Sequence, residues 1–164
     1  MPLAVNIRSA RTDDWPQIWA ILESVIRPGE TYALSQTTSE EEARTYWFRS
    51  GNEVFVAESA GTLFGTYMMR ANQQGGGSHV ANCGYMTAPA ARGQGIARAM
   101  CVHSLAHAKA RGFHAMQFNF VVSSNVSAVK LWQSLGFKEA GRLPQAFLHP
   151  ALGLVDALVM YRLL

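Results

Sequence analysis

A chain of 164 residues is one ordinary domain in length and is long enough to bury a real core. Hydrophobic residues at 49% against 15% charged exclude an intrinsically disordered chain, and no apolar run approaches the ~20 residues that cross a bilayer. The formal charge of +3 comes without any Lys/Arg block, which argues against nucleic-acid binding and leaves room for an anionic ligand.

The opening Met1-Pro2-Leu3-Ala4-Val5 lacks the basic region and long apolar run of a signal peptide. A cytoplasmic protein is therefore expected, with Cys83 and Cys101 as small buried hydrophobes rather than a disulfide or a catalytic thiol. Residues 5–9 predict a first strand. Thr12 is placed to cap a helix with Asp13 and Asp14 in its first turn, and Trp15, Ile18, Trp19, Leu22, Val25 and Ile26 then recur at helical spacing. Ser39-Glu40-Glu41-Glu42 is a capping-box pattern opening a second helix to about Arg49. Residues 53–59 and 63–71 predict two strands joined by the tight turn Ala60-Gly61, and the Gly-rich residues 73–78 a loop inside one domain. Residues 80–87 predict a strand, 95–111 a helix, 115–121 a strand and 125–135 a helix. Residues 139–143 and 157–163 close the chain as two more strands. The alternation predicts an α/β fold, with helices on the faces of a sheet and residues 1–164 forming a single domain.

The most informative stretch runs from Tyr85 to Arg98. A strand ends near Thr87, Pro89 interrupts its ladder, and a helix begins at about Gly95. Gly93 and Gly95 let the backbone approach a ligand closely. The free N–H groups of a helix start form a ready anion site, to which Arg92 and Arg98 add charge-assisted contacts. The stretch is not a Walker loop, because no Gly-Lys-Ser/Thr follows, and no third glycine completes a dinucleotide fingerprint.

Arg92-x-x-Gly95-x-Ala97 resembles the pyrophosphate loop of the GCN5-related N-acetyltransferase family, and Asn125-x-x-Ala128-x-x-Leu131-Trp132-x-x-Leu135-Gly136-Phe137 resembles its second hallmark. The likeness covers roughly residues 80–137. It implies a mixed α/β (α+β) sheet of about seven strands, helices on both faces, and a splay between the fourth and fifth strands. It also implies an enzyme that moves acetyl from acetyl-CoA to an amine without a metal. Backbone groups at Met86, Thr87 and Ala88 would pair with the pantetheine arm. Arg92, Gly93, Gln94, Gly95, Ile96, Ala97 and Arg98 would hold the pyrophosphate, with Asn125 reaching the cofactor from the opposite side. Homodimerisation is common in the family.

Two departures from the family pattern concern the chemistry. Trp132 stands where the family usually has a Tyr that protonates the leaving thiolate, so that either Tyr85, Tyr161 or a water supplies the proton or the thiolate leaves unassisted. No acidic residue lies between Glu58 and Glu139, so the usual Glu base is missing and Asn82 occupies its region. Asn82, Tyr85 and Asn119 are thus the candidate catalytic residues. Asn82 and Asn119, two amides in apolar strands, together with Phe120 and with Glu30 and Tyr32 of the loop after the first helix, are the candidate acceptor site. Asn82-x-x-Tyr85-Met86 with Asn119-Phe120-Val121-x-x-x-Asn125 is similar to fungal acetyltransferases of proline analogues such as azetidine-2-carboxylate. That likeness implies a small-molecule amine acceptor, a cyclic imino acid. A protein or peptide amine as acceptor, or a non-catalytic acyl-CoA sensor, are the other readings. His103 and His107, four apart on a helix, lack a third ligand and read as a helix face.

Overall fold

The computed structural model describes residues 3–164. Met1 and Pro2, the start of the segment read for a signal peptide, lie outside the described residues. Seven strands form one sheet in the order β1-β2-β3-β4-β5-β7-β6. They are β1 (Asn6–Ser9), β2 (Glu53–Ser59), β3 (Thr62–Ala71), β4 (Val80–Thr87), β5 (Ala115–Val122), β6 (Lys138–His149) and β7 (Gly153–Leu163). Every pairing is antiparallel except β4 with β5. The sheet is therefore mixed, as expected, and its one parallel junction lies in the middle.

Helices α1 (Trp15–Ile26) and α2 (Glu40–Trp47) cover one face, and α3 (Ile96–Ala110) and α4 (Val126–Ser134) the other. Each face has its own core. Ile18, Leu22, Ile26 and Trp47 pack with Val56, Met68 and Met86 on the first. Ile96, Met100, Cys101 and Trp132 pack with Tyr67, Cys83, Met116 and Phe118 on the second. The alternation of side chains along β4 feeds both cores from one strand. Cys83 and Cys101 are buried, and burial pushes their thiols up to about 12 and about 11, so they pack rather than react. Among the described residues, no helix is long and apolar enough to cross a membrane.

Three local expectations need correction. Thr12 does not cap α1, because residues 12–14 form a 3-10 turn whose Asp14 carboxylate accepts the Arg11 N–H at 2.6 Å. The second helix stops at Trp47 rather than Arg49, although its capping box forms as expected, with Glu42 N donating to Ser39 Oγ and Ser39 N to Glu42 Oε2. The last two strands are far longer than residues 139–143 and 157–163. They make one hairpin that tolerates Pro144 by bulging between Leu143 and Phe147. Asp156 holds the bulge by accepting from Gln145 N at 2.9 Å and from Arg142 at 2.9 Å.

Asp14 also ties the edge of the sheet to α1. Its two oxygens accept from Arg8 at 2.7 and 2.9 Å, while Arg8 Nε donates to Glu58 at 2.6 Å. The hydrogen bond from Arg8 holds the Asp14 carboxyl below its ordinary value. A carboxyl depressed in the folded state stabilises above its unfolded value, and that contribution disappears as pH falls through the folded one. Asp14→Asn should therefore cost about 1–3 kcal/mol near neutral pH. The difference from the parent should shrink as pH drops below about 4, as urea unfolding midpoints at several pH values would show.

Candidate functional site

β4 and β5 pair only at Val80 with Ala115 and at Ala81 with Met116. Beyond that point the strands diverge, and the Asn82 side chain replaces the missing ladder bond, its Nδ2 donating to the Gln117 carbonyl at 2.9 Å. The wedge that opens towards the carboxyl ends of both strands is the heart of a cavity of about 770 Å³. Each parallel strand runs into a helix, α3 after β4 and α4 after β5, so two helix N-termini face the wedge mouth.

The backbone of β4 lends itself to a ligand at alternate residues. Ala88 N donates to Phe64 O, and Asn72 N to Val80 O, with no register shift between. Even-numbered residues of β4 are thus committed to β3, and the N–H and C=O groups of Cys83, Tyr85 and Thr87 face the wedge. Of the trio Met86, Thr87 and Ala88, only Thr87 offers its backbone to the wedge; Met86 is buried in the α1–α2 core.

The turn between β4 and α3 has the geometry of an anion cradle. Gly93 and Gly95 have φ of +75° and +84°, values that cost other residues ~1–2 kcal/mol. Gln94 N is used by Ala91 O, and Ala99 N is the first amide to bond back to the Gly95 carbonyl. That leaves the amides of Gly93, Gly95, Ile96, Ala97 and Arg98 free at a helix start, with the dipole favouring an anion there. Arg92 and Arg98 line the same space, although Arg98 also donates to Ser134 Oγ on α4 at 2.8 Å. Asn125 precedes α4 and lines the cavity from the β5 side.

At the other end, Tyr32 reaches from the loop after α1 to donate its hydroxyl to the Tyr85 carbonyl at 3.0 Å. Gly84 leaves room for this approach, since a Cβ there would sit 3.0 Å from the Tyr32 oxygen. Glu30, Asn119 and Phe120 also line the cavity. β5 carries one extra residue against β7 between Phe118 and Val121, a bulge that re-aims Asn119 and Phe120. Asn119 joins an amide chain, accepting from Gln117 at 2.9 Å and donating to Asn72 at 2.7 Å.

Two catalytic assignments change on this geometry. The Tyr85 hydroxyl turns into the core, 2.7 Å from Ser104 Oγ, and burial pushes it well above the ordinary phenol value, so it is a poor proton donor. Asn82 spends its amide nitrogen on the β5 carbonyl and acts first as a staple. Tyr161, named with Tyr85 as a proton source, is not among the residues lining the cavity. His103 accepts or donates at the Tyr67 hydroxyl, 2.8 Å away, and His107 pairs with Glu53 at 2.8 Å, both outside the cavity.

The cavity also contains residues that sequence reasoning passed over. Arg70 on β3, Ser124 before α4 and His149 at the end of β6 all line it. Arg70 Nε and Ser124 Oγ are buried without hydrogen-bond partners. Only the pairing register, which sets Arg70 opposite Asn82, brings that arginine to the site.

A family model described as the acetyltransferase (GNAT) family matches residues 10–137. The chain is similar to a GCN5-related N-acetyltransferase from Kribbella flavida, at 44% identity with 98% of each chain covered and a TM-score of 0.94. It is 28% identical over 151 residues to the N-acetyltransferase aca1 of Schizosaccharomyces pombe, covering 82% of this chain and 72% of that protein. At 22% identity it shares the fold of a phosphinothricin acetyltransferase from Sinorhizobium meliloti, solved in complex with AcCoA, with a TM-score of 0.86 and 99% and 89% of the two chains covered.

If Asn82 closes the ladder at the point of divergence, Asn82→Leu, similar in volume, should cost about 1–3 kcal/mol because it leaves the Gln117 carbonyl unpaired. Chemical unfolding measures this, and an unchanged midpoint would show that the staple is idle.

Proposed function

The chain belongs to the acetyltransferase (GNAT) family and is an N-acetyltransferase, and on that premise we propose that it transfers acetyl from acetyl-CoA to a small-molecule amine, a cyclic imino acid. The observation that carries this reading is one wedge with an anion cradle at one end and an amide-lined pocket at the other. The pyrophosphate lies against the free amides of Gly93, Gly95, Ile96, Ala97 and Arg98, with Arg92, Arg98 and Asn125 around it. The pantetheine arm runs along β4 and pairs with the backbone of Tyr85 and Thr87, which the β3 ladder leaves free. We take the enzyme to act as a single domain in the cytoplasm, with homodimerisation read from the family alone.

In the transfer step, the amine nitrogen bonds to the acetyl carbonyl carbon and the carbon–sulfur bond breaks, giving an N-acetyl product and the thiol of CoA. The oxyanion that forms on the way is met by a wedge-facing N–H of β4, at Thr87 or Tyr85. The amine attacks only when neutral, and a free alkyl amine holds its proton to about pH 10. Glu30 is the one acidic residue lining the cavity among the described residues, and it takes that proton directly or through water. Trp132, buried against Tyr85 and Phe118 with ring centroids 5.1 Å from each, supplies packing and no proton, so the thiolate leaves with a proton from water. Asn119 and Phe120, re-aimed by the β5 bulge, wall the acceptor, with Tyr32 opposite.

The test is acetyl transfer from acetyl-CoA to a panel of azetidine-2-carboxylate, hydroxyproline, amino acids, polyamines and a lysine peptide, read by mass spectrometry. Acetylation of a cyclic imino acid supports the reading; acetylation of the peptide alone would replace it. Arg92→Ala should raise the KM for acetyl-CoA by about tenfold or more, the worth of one charge-assisted contact, with kcat little changed. Asn119→Ala should raise the KM of the acceptor and leave that of acetyl-CoA alone.

A further inference from the structure

Two charged side chains from outside the β4–α3 segment line the cavity and are not neutralised by the protein. Arg70 and Glu30 both line it, and neither belongs to any ion pair among the described residues. Arg70 Nε is buried with no hydrogen-bond partner. A desolvated guanidinium N–H left unpaired is costly, and such a group in a binding cavity calls for a ligand atom to complete it. The planar fork of the guanidinium fits a carboxylate, which it can hold through two parallel hydrogen bonds.

The cofactor's phosphates are not that ligand. Arg70 stands opposite Asn82 in the β3–β4 register, where the wedge begins, whereas the cradle starts after Thr87. Five residues of strand separate those levels, about 16 Å at ~3.3 Å per residue. A pyrophosphate on the α3 amides is therefore out of reach of Arg70. The residue that the strand register sets opposite Arg70 is a neutral amide, Asn82. Asn72, two residues on from Arg70, accepts from the Asn119 amide at 2.7 Å.

We propose that Arg70 recognises a carboxylate on the acceptor and thereby restricts acceptors to amino and imino acids with a free acid group. This deepens the N-acetyltransferase reading and rests on it. With the carboxylate on Arg70, the acceptor nitrogen meets the wedge, and Glu30 is the carboxylate available to its ammonium form. Arg70 is then a specificity residue: it fixes which amines are held in place and takes no part in bond making.

Two readouts test this on the same compounds, with L-proline, azetidine-2-carboxylate and the standard amino acids each set against its own carboxamide. Calorimetric titration into the CoA-loaded protein reads binding, and mass spectrometry reads acetyl transfer. The wild type should prefer the acid of its best pair by about 100-fold, the order expected when a site built for a charged group meets an uncharged analogue. Arg70→Gln should bring that ratio close to one while the Kd for CoA stays within about twofold, and Arg70→Lys should keep part of the preference. The proposal is overturned if no acid binds in preference to its amide, if Arg70→Gln keeps the preference, or if both variants lose CoA binding alike. Acids that bind in preference to amides without being acetylated would sink the N-acetyltransferase reading and leave the role of Arg70 standing. Transfer without any acid preference would do the reverse.

Discussion

The short parallel contact between β4 and β5 is the constraint on which the rest of the molecule depends. Two residue pairs hold these strands together, and past them no ladder bond joins the two halves of the sheet. A sheet interior without ladder bonds exposes backbone N–H and C=O groups that must find other partners. The protein meets part of this need itself, through Asn82 to the Gln117 carbonyl and Tyr32 to the Tyr85 carbonyl. The groups left over at Tyr85 and Thr87 are the ones a bound arm can use. The opening is held from both faces, since α1 and α2 pack on one side of β4 and α3 and α4 on the other.

Charge is distributed along this opening by the same geometry. A parallel pair must send both chains onward in the same direction, so the helices after β4 and β5 begin at one end of the wedge. Their free amides, with Arg92 and Arg98, make that end a site for anions. Away from the cradle the lining is built differently, from amides, one carboxylate and one guanidinium, neither of them in an ion pair among the described residues. A molecule with both an ammonium and a carboxylate complements that lining, while the cofactor complements the cradle. Although no acidic residue lies between Glu58 and Glu139, the cavity still receives a carboxylate, because Glu30 comes from a loop distant in sequence.

Legibility in the sequence followed the range of the interactions. The cradle was readable because its parts are neighbours in the chain: a strand end, Pro89, two glycines and a helix start. The capping box at Ser39 and the turn at Ala60-Gly61 were readable for the same reason, as their partners lie within a few residues. The extent of the final hairpin was not, because Pro144 resembles a strand terminator until a bulge and the Asp156 carboxylate accommodate it. Arg70 was invisible to pattern reading, since a lone arginine on a strand gains meaning only from the register that sets it opposite Asn82. Tyr85 marks a further limit: its motif position named it, and the pleat of β4, which decides where its hydroxyl points, sent it into the core.

The most direct test of the central claim is amide hydrogen exchange with and without CoA. The wedge and cradle predict new protection at Tyr85, Thr87 and the amides of Gly93, Gly95, Ile96, Ala97 and Arg98, since these lack stable partners in the free protein. The Met86 and Ala88 amides, committed to β3, should change little. Protection confined to another surface, or none along β4 and the start of α3 at saturating CoA, would contradict the claim that this opening is where the acetyl donor binds.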